Sequence, residues 1–119
     1  MHQVCVQTIY VTDLKRAVNF YEAGLGYEIE AEYGDYIVQL KTEGITLILQ
    51  EVQGDDSIPS EPKTVLAFQT DDILGSITTL KASGARILHN EPQPCPVGRY
   101  VTFEDPTGIM HELLEFCKG

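Results

Sequence analysis

The chain repeats one order of structural elements, and this repeat constrains its fold more than any other feature. In the first half, a run rich in β-branched residues at 4–11 precedes a helical stretch and strand-like runs at 27–33, 36–42 and 45–52. The second half repeats the order, with strands at 64–70, 85–89, 98–104 and 109–116 and a helix over about 72–83. Two copies are too few for a repeat array. The sequence therefore predicts an α+β fold of two β-α-β-β-β modules.

The two halves also match at the level of single residues. Asp13 begins the first helical stretch as Asp72 begins the second, and aspartate is a favoured N-cap. The run GITLILQEV from Gly44 resembles GIMHELLEF from Gly108. A polar segment with two prolines, QGDDSIPSEP, separates the halves. We predict a single domain over residues 1–119, with module 1 at about 1–52, a connector at 53–62 and module 2 at about 63–119.

Composition excludes several classes of protein. The chain has 8 Lys and Arg against 18 Asp and Glu, a formal net charge of −10, so it lacks the basic surface that nucleic acid requires. Its 3 cysteines are widely spaced and odd in number, which indicates neither a disulfide framework nor a zinc ribbon. No apolar run has the length of a membrane span, and the start lacks a signal-peptide layout. We expect a protein of the reducing cytoplasm with no membrane partner.

Two stretches, VTDLKRAVNFYEAGLGY near the start and DPTGIMHEL near the end, resemble the vicinal oxygen chelate superfamily. That superfamily includes glyoxalases, extradiol dioxygenases, fosfomycin-resistance enzymes and bleomycin-binding proteins. The most specific element is D-P-x-G-x-x-x-E, formed here by Asp105, Pro106, Gly108 and Glu112. The resemblance implies mostly antiparallel, curved sheets that form a cup, and it leaves the activity open because one fold hosts many chemistries.

In metal-using members, each module supplies one ligand from its first strand and one from its last. Carried onto this chain with the repeat as register, those positions are Val6, Ile48, Val65 and Glu112. Divalent ions need three or four N, O or S donors, and these positions offer one carboxylate. We therefore expect no metal and no other cofactor, and a divalent metal is the less favoured alternative.

Gln7 and Glu112 are the fallback pair of metal ligands. Gln7 follows Val6 directly, so strand alternation turns it to the opposite face unless a β-bulge intervenes. By the same alternation His111 points away from Glu112, toward the helix layer or a subunit contact.

The predicted lining of the cup is mostly apolar, with a few polar groups, which suits a small organic ligand. The segment PCPVGRY at 94–100 is a candidate lid, from which Arg99 can reach an anionic ligand or Glu112. The complete set of predicted ligand-binding residues is Val6, Thr8, Tyr10, Ile48, Gln50, Val65, Gln69, Arg99, Met110 and Glu112.

Three functions fit this pattern. The first is a metal-independent small-molecule-binding protein of the bleomycin-resistance type, which sequesters a drug or metabolite and so gives antibiotic resistance. The second is a glyoxalase-like lyase or isomerase, or a dioxygenase, in which Glu112 is a catalytic general base or a metal ligand. The third is a sensor or interaction module with a vestigial pocket. In each case we expect a homodimer, whose chains lie side by side or exchange modules.

Overall fold

Over residues 1–53, 59 and 61–117, which a computed structural model describes, the chain forms nine strands and two helices. Most of the predicted connector, residues 54–58 and 60, lies outside this described part. The first module contains β1 Val4–Val11, α1 Leu14–Ala23, β2 Ile29–Tyr33, β3 Ile37–Leu40 and β4 Thr46–Glu51. The second contains β5 Lys63–Gln69, α2 Ile73–Ala82, β6 Arg86–Ile87, β7 Gln93–Cys95, β8 Gly98–Glu104 and β9 Met110–Phe116. The predicted order of two β-α-β-β-β modules is confirmed, with β7 as one additional short strand in the second module.

Both helices begin after the aspartates that the repeat marks. The Asp13 side chain accepts a hydrogen bond from Arg16 N at 3.1 Å, and Asp72 Oδ1 accepts one from Gly75 N, also at 3.1 Å. Each carboxylate thereby satisfies a backbone donor that has no partner within the helix. Neither α1 nor α2 is long and apolar enough to cross a membrane.

The chain divides into two compact units, and the unit formed by Val6–Val65 has the strand order β2-β3-β4-β1. Its antiparallel pairs are β2–β3 and β3–β4, whereas β1 and β4 run parallel. A helix and two strands separate β1 from β4, which is the length of connection that a parallel pair needs. Leu14 of α1 packs on one face of this sheet with the buried side chains of Val38, Leu40 and Leu49.

The other unit comprises Met1–Cys5 and Leu66–Gly119, and it repeats that order as β5-β9-β8-β6. Again the first and last strands of the module, β5 and β9, are parallel, and the remaining pairs are antiparallel. Ile73 of α2 packs against Val101, Phe103 and Leu113. The first residues belong to this unit because Gln69 N donates to Gln3 O at 2.8 Å.

The segment predicted as a lid forms a β-hairpin, and its role as a lid stays a prediction. Cys95 pairs with Gly98 and Gln93 with Tyr100, so β7 and the start of β8 form a two-stranded ladder. Pro94 lies within β7, a strand whose only described partner is β8. Proline is tolerated on an edge strand, where its missing N–H would face solvent. The prolines therefore concealed β7 from a sequence pattern that treats them as loop signals.

Candidate functional site

The D-P-T-G motif forms a tight turn between β8 and β9. Asp105 Oδ1 accepts hydrogen bonds from Ile109 N at 3.0 Å, Thr107 N at 2.9 Å and Thr107 Oγ1 at 2.7 Å. These bonds stabilise the charged carboxylate and lower the pKa of Asp105 to about 2, and the bond from Ile109 has the largest effect. Gly108 has a φ of 91°, a conformation that favours glycine. The turn sets the start of β9, along which successive side chains face opposite sides.

His111 lies on the face of β9 that packs toward α2. Its ring centroid is 5.4 Å from that of Phe68 and 5.5 Å from that of Phe103. Its Nε2 lies 3.5 Å from Asp105 Oδ2. The prediction that His111 faces the helix layer is confirmed. It packs in the core and helps to close the turn.

Glu112 lies on the opposite face, where it is half-buried and its carboxyl group loses most of its hydration. Its neighbours across the strands are Ala67 on β5 and Thr102 on β8, both buried. Within the described part of the chain, no hydrogen bond or ion pair stabilises the carboxylate. Loss of hydration disfavours the charged form and raises the pKa of Glu112 from 4.5 to about 7. Near neutral pH the group is therefore poised between its two protonation states.

Thr102 lies directly opposite Glu112, and its hydroxyl is buried. The residue is 1% exposed, and Oγ1 has no hydrogen-bond partner among the described residues. Its N–H donates to His89 Nδ1 at 3.1 Å and its carbonyl accepts from Leu88 N at 2.9 Å, so both groups point away from β9. Thr102 and Glu112 are therefore a non-hydrogen-bonded pair, whose Cβ atoms are about 4.5–5.5 Å apart. The hydroxyl and the carboxyl extend from neighbouring positions on one face.

Sequence reasoning did not assign β8 to the lining. Tyr100 lies opposite Leu114 and so shares the face of Glu112, and the His89 ring packs edge-on against it with centroids 5.6 Å apart. Because His89 Nδ1 accepts a hydrogen bond, the proton of the neutral ring is on Nε2. Alternation along 98–104, applied as it was to the other strands, would have identified Tyr100 and Thr102.

Two thiols lie near Glu112, and one ion pair lies on the same face of the sheet. Burial raises the pKa of the Cys5 and Cys95 thiols, and the nearby charge of Glu112 adds to the effect. Both groups are protonated at neutral pH and are poor nucleophiles. In the described strands of this unit, the cation on the Glu112 face is Arg86, and its Nη2 already lies 2.8 Å from Glu104 Oε1.

In the other unit, one face of β1 and β4 carries the residues predicted from the first module. They pair in register as Val6 with Thr46, Thr8 with Ile48, and Tyr10 with Gln50. The alternate residues, including Ile9 and Leu49, pack toward α1. Thr8 and Tyr10 are each 4% exposed, and Val65 on β5 is also buried. The role of these residues in ligand binding stays a prediction.

Gln7, the fallback metal ligand, points to the α1 side. It pairs with Leu47, which packs on the core beneath α1, and the register of β1 with β4 is unbroken from Val6 to Val11. The β-bulge on which the fallback depends is therefore absent from these pairs. Gln7 instead lines a cleft of about 620 Å³ together with Tyr27 and Lys41. Gln7 thus faces away from Val6, as strand alternation predicts, and the fallback pair with Glu112 is not formed by a bulge in β1.

The prediction that Arg99 can reach Glu112 is wrong. Its partner across β8 and β9 is Glu115, and Arg99 Nε lies 2.7 Å from Glu115 Oε1. Arg99 is three residues from Thr102, so strand alternation turns it to the opposite face. It does not pair with Glu112, because it faces the α2 side of the sheet.

The donor set does not fit a metal ion. Of the four positions that the resemblance marks, three carry aliphatic side chains and only Glu112 offers an oxygen donor. In residues 1–53, 59 and 61–117, no group of three or more His, Cys, Asp or Glu side chains is placed to hold an ion. One carboxylate is too few donors for zinc, nickel or iron.

Comparisons with known proteins agree with this architecture. A hypothetical protein from Bacillus halodurans C-125 superposes with a TM-score of 0.79 at 19% identity, over 99% of this chain and 96% of that one. Streptomyces coelicolor methylmalonyl-CoA epimerase, as a variant in complex with 2-nitronate-propionyl-CoA, gives 0.78 at 22% identity over 99% of each chain. Methylmalonyl-CoA epimerase from Mycobacterium tuberculosis gives 0.79 at 21% identity, over 97% of this chain and 88% of that one.

These identities establish a common fold. None of the curated proteins compared with the chain matches it. The family model described as Glyoxalase/Bleomycin resistance protein/Dioxygenase superfamily matches residues 2–113, which is nearly the whole sequence. Together with the two β-α-β-β-β modules and the D-P-x-G-x-x-x-E turn, this match shows that the chain belongs to the glyoxalase/bleomycin resistance protein/dioxygenase superfamily, the vicinal oxygen chelate superfamily.

Proposed function

We propose that Glu112 is the general base of a metal-independent isomerase or lyase, which removes a proton from an acidic C–H of a small organic molecule. The observation that carries the proposal is the desolvation of an unpartnered carboxyl group, which raises the pKa of Glu112 to about 7. A base is most effective when its pKa lies near the working pH, because it is then both available and strong enough to accept the proton.

The ligand class follows from the charges around Glu112. In the described strands of its own unit, the cation on the Glu112 face is Arg86, which is paired with Glu104, and the whole chain has a net charge of −10. No free cation of those strands therefore neutralises a phosphate or carboxylate next to Glu112. A neutral molecule with an electron-withdrawing group beside the C–H fits these surroundings best.

The reaction class also draws on the fold. Two of the similar structures are methylmalonyl-CoA epimerases. An epimerase inverts a carbon centre, which requires that a C–H bond be broken and remade. This likeness supports proton transfer as the chemistry of the Glu112 face, while the lack of metal donors supports a reaction without an ion. The likeness to epimerases therefore favours proton transfer over drug sequestration, which was the first of the functions predicted from the sequence.

The test uses 5-nitrobenzisoxazole, a neutral planar carbon acid that a carboxylate base opens to a coloured phenolate. We expect turnover on the order of a hundredfold faster than with equal acetate, since a positioned base contributes on the order of 10²–10⁴-fold. The rate should rise with pH and reach half its maximum near the pKa of Glu112, about 7. A chelator should leave it unchanged.

The matched pair of variants is Glu112→Gln and Glu104→Gln. Both remove one carboxylate from the same face of the sheet. The first should abolish the protein-dependent rate, and the second should retain it. Equal rates for wild type and Glu112→Gln would rule out the general base.

A second candidate is the binding of a cationic compound without chemistry. The net charge of −10 and the lack of a free cation near Glu112 favour it. Its probe is bleomycin, added at pH 8, where Glu112 is ionised. A ligand at 100 times its dissociation constant stabilises a protein by about 2.7 kcal/mol. A shift in melting temperature that Glu112→Gln removes, without turnover of the carbon acid, would favour this candidate.

We also propose that the protein works in the cytoplasm. Cys5, Cys95 and Cys117 are free thiols. Free thiols suit the reducing cytoplasm.

A further inference from the structure

We propose that the Thr102 hydroxyl donates a hydrogen bond to the substrate oxygen on which negative charge develops as Glu112 removes the proton. The inference rests on the proposed function of Glu112 and assigns the group that stabilises the product side of the same step.

The first support is the unused hydrogen-bonding capacity of Thr102. Its side chain is 1% exposed, and Oγ1 has no partner among the described residues. A buried hydroxyl without a partner destabilises a fold, so such groups are rare unless a ligand or water completes them. Its χ1 angle is restricted by β-branching, which limits the directions in which the O–H can point.

The second support is position. The backbone groups of Thr102 bond to His89 and Leu88, away from β9, so its side chain stands in the closer type of pair with Glu112. The two Cβ atoms are about 4.5–5.5 Å apart. Glu112 is the base on one side of this pair, and the hydroxyl is a donor on the other. A small molecule bound at Glu112 therefore lies next to Thr102.

The third support is the chemistry that proton removal requires. When the C–H electrons move into the substrate, an oxygen atom gains negative charge, and a donor placed in a water-poor site stabilises it. The donor set around Glu112 does not fit a metal ion, and Arg86 is occupied by Glu104. Thr102 is the buried hydroxyl opposite the base.

With benzisoxazole as the probe, each bond is accounted for. The proton on C3 passes to the Glu112 carboxylate, and the electrons of the C–H bond form the nitrile. The N–O bond breaks, and its electron pair leaves on oxygen as a phenolate. Thr102 Oγ1–H donates to that oxygen. No oxidant, reductant or second reactant takes part.

The experiment compares Thr102→Val, Thr102→Ser and wild type with two probes, 5-nitrobenzisoxazole and unsubstituted benzisoxazole. Valine keeps the shape of threonine and removes the hydroxyl, whereas serine keeps the hydroxyl. We expect Thr102→Val to lower kcat at least about tenfold, and Thr102→Ser to stay within about threefold of wild type. The loss for valine should be larger with the unsubstituted probe, whose leaving oxygen carries more charge. Neither variant should lower the urea midpoint.

Several outcomes overturn the inference. They are a Thr102→Val rate equal to wild type, an equal loss with both probes, and a loss in Thr102→Ser as large as in Thr102→Val. A lower urea midpoint that accounts for the lost rate would also assign the residue to folding alone. If Glu112→Gln removes the rate and Thr102→Val does not, the general base stands and only the role of Thr102 falls. If Glu112→Gln has no effect, both proposals fail.

Discussion

Arg99 Nε and Glu115 Oε1 lie 2.7 Å apart across β8 and β9, and Glu115 Oε2 accepts the N–H of Ile73 at 2.9 Å. One carboxylate thus joins two strands to the first turn of α2. A negative charge at a helix N-terminus is also favourable because it faces the positive end of the helix dipole. The pair is structural, and it faces away from Glu112.

Replacement of Arg99 by Gln should therefore have a small effect on folding and none on the site. The Arg99 side chain is 44% exposed, so we expect the free energy of unfolding to fall by no more than about 1 kcal/mol. Urea denaturation measures this, and the 5-nitrobenzisoxazole rate measures the site. If Arg99→Gln lost as much rate as Glu112→Gln, Arg99 would have to be counted as a residue of the site.

Glu112→Gln should stabilise the protein at high pH. In the folded state the pKa of Glu112 is about 7, above its ordinary value of 4.5, so folding favours the protonated form. The stability that the group contributes is complete below pH 4.5 and is lost as pH rises through 7. At 1.36 kcal/mol per pKa unit, the loss is roughly 3 kcal/mol. The variant should lack this loss.

Urea denaturation at pH 5 and pH 8.5 gives the comparison. Wild type and Glu112→Gln should differ more at pH 8.5 than at pH 5, with the variant the more stable. Glu104→Gln is the control, because it removes a carboxylate from the same face of the sheet. Its free energy of unfolding should change between pH 5 and pH 8.5 as much as that of the wild type. Parallel pH profiles for wild type and Glu112→Gln would contradict the raised pKa.

Asp105→Ala should destabilise the protein with the opposite pH dependence. Hydrogen bonds from Ile109 and Thr107 lower the pKa of Asp105 to about 2, so its stabilisation is present above about pH 3.8 and is lost toward pH 2. The variant should have a lower urea midpoint at pH 5, and the gap should narrow as pH falls to 2. Asp35→Ala, at an exposed turn, is the control and should follow the wild type.

The local chemistry of the fold was predictable from the sequence, and the pairing of distant strands was not. Asp13 and Asp72 mark the helix starts because their side chains cap the helices, and Gly108 marks a turn because of its backbone conformation. A short stretch of sequence is enough to recognise such residues. The pairing of Glu112 with Ala67 on β5 depends on contacts between distant segments, so a short stretch of sequence could not predict it. Thr102 on β8 lies across a short turn from Glu112, and it was missed because strand alternation was not applied to β8.

Gly98→Ala should destabilise the protein strongly because β8 approaches β9 closely at that point. A Cβ on Gly98 would overlap the carbonyl oxygen of Glu115 and stand 2.8 Å from Cys117 N and 2.9 Å from Phe116 Cα. These are backbone atoms of a paired strand, so they cannot move aside easily. We expect a loss of about 2–3 kcal/mol.

Gly44→Ala is the matched control for Gly98→Ala. No heavy atom lies within 4 Å of a Cβ at Gly44, and its φ is not positive. Its urea midpoint should stay close to that of the wild type. A Gly98→Ala protein with an equally unchanged midpoint would show that the two strands can separate at this end without cost.

The chain should form a homodimer whose affinity increases with salt. Large apolar side chains are exposed in both units, among them Phe20 at 60%, Leu25 at 57%, Leu74 at 58% and Ile109 at 56%. Burial of such side chains favours association, and twofold dimers are the commonest oligomers. The net charge of −10 on each chain opposes it. The screening length falls from about 30 Å at 0.01 M salt to about 8 Å at 0.15 M, so repulsion weakens over that range.

Light scattering at micromolar concentration should give twice the chain mass of 13.2 kDa at 0.15 M, with more monomer at 0.01 M. A monomer at both salt concentrations, or a dimer that salt dissociates, would mean that apolar burial does not drive association.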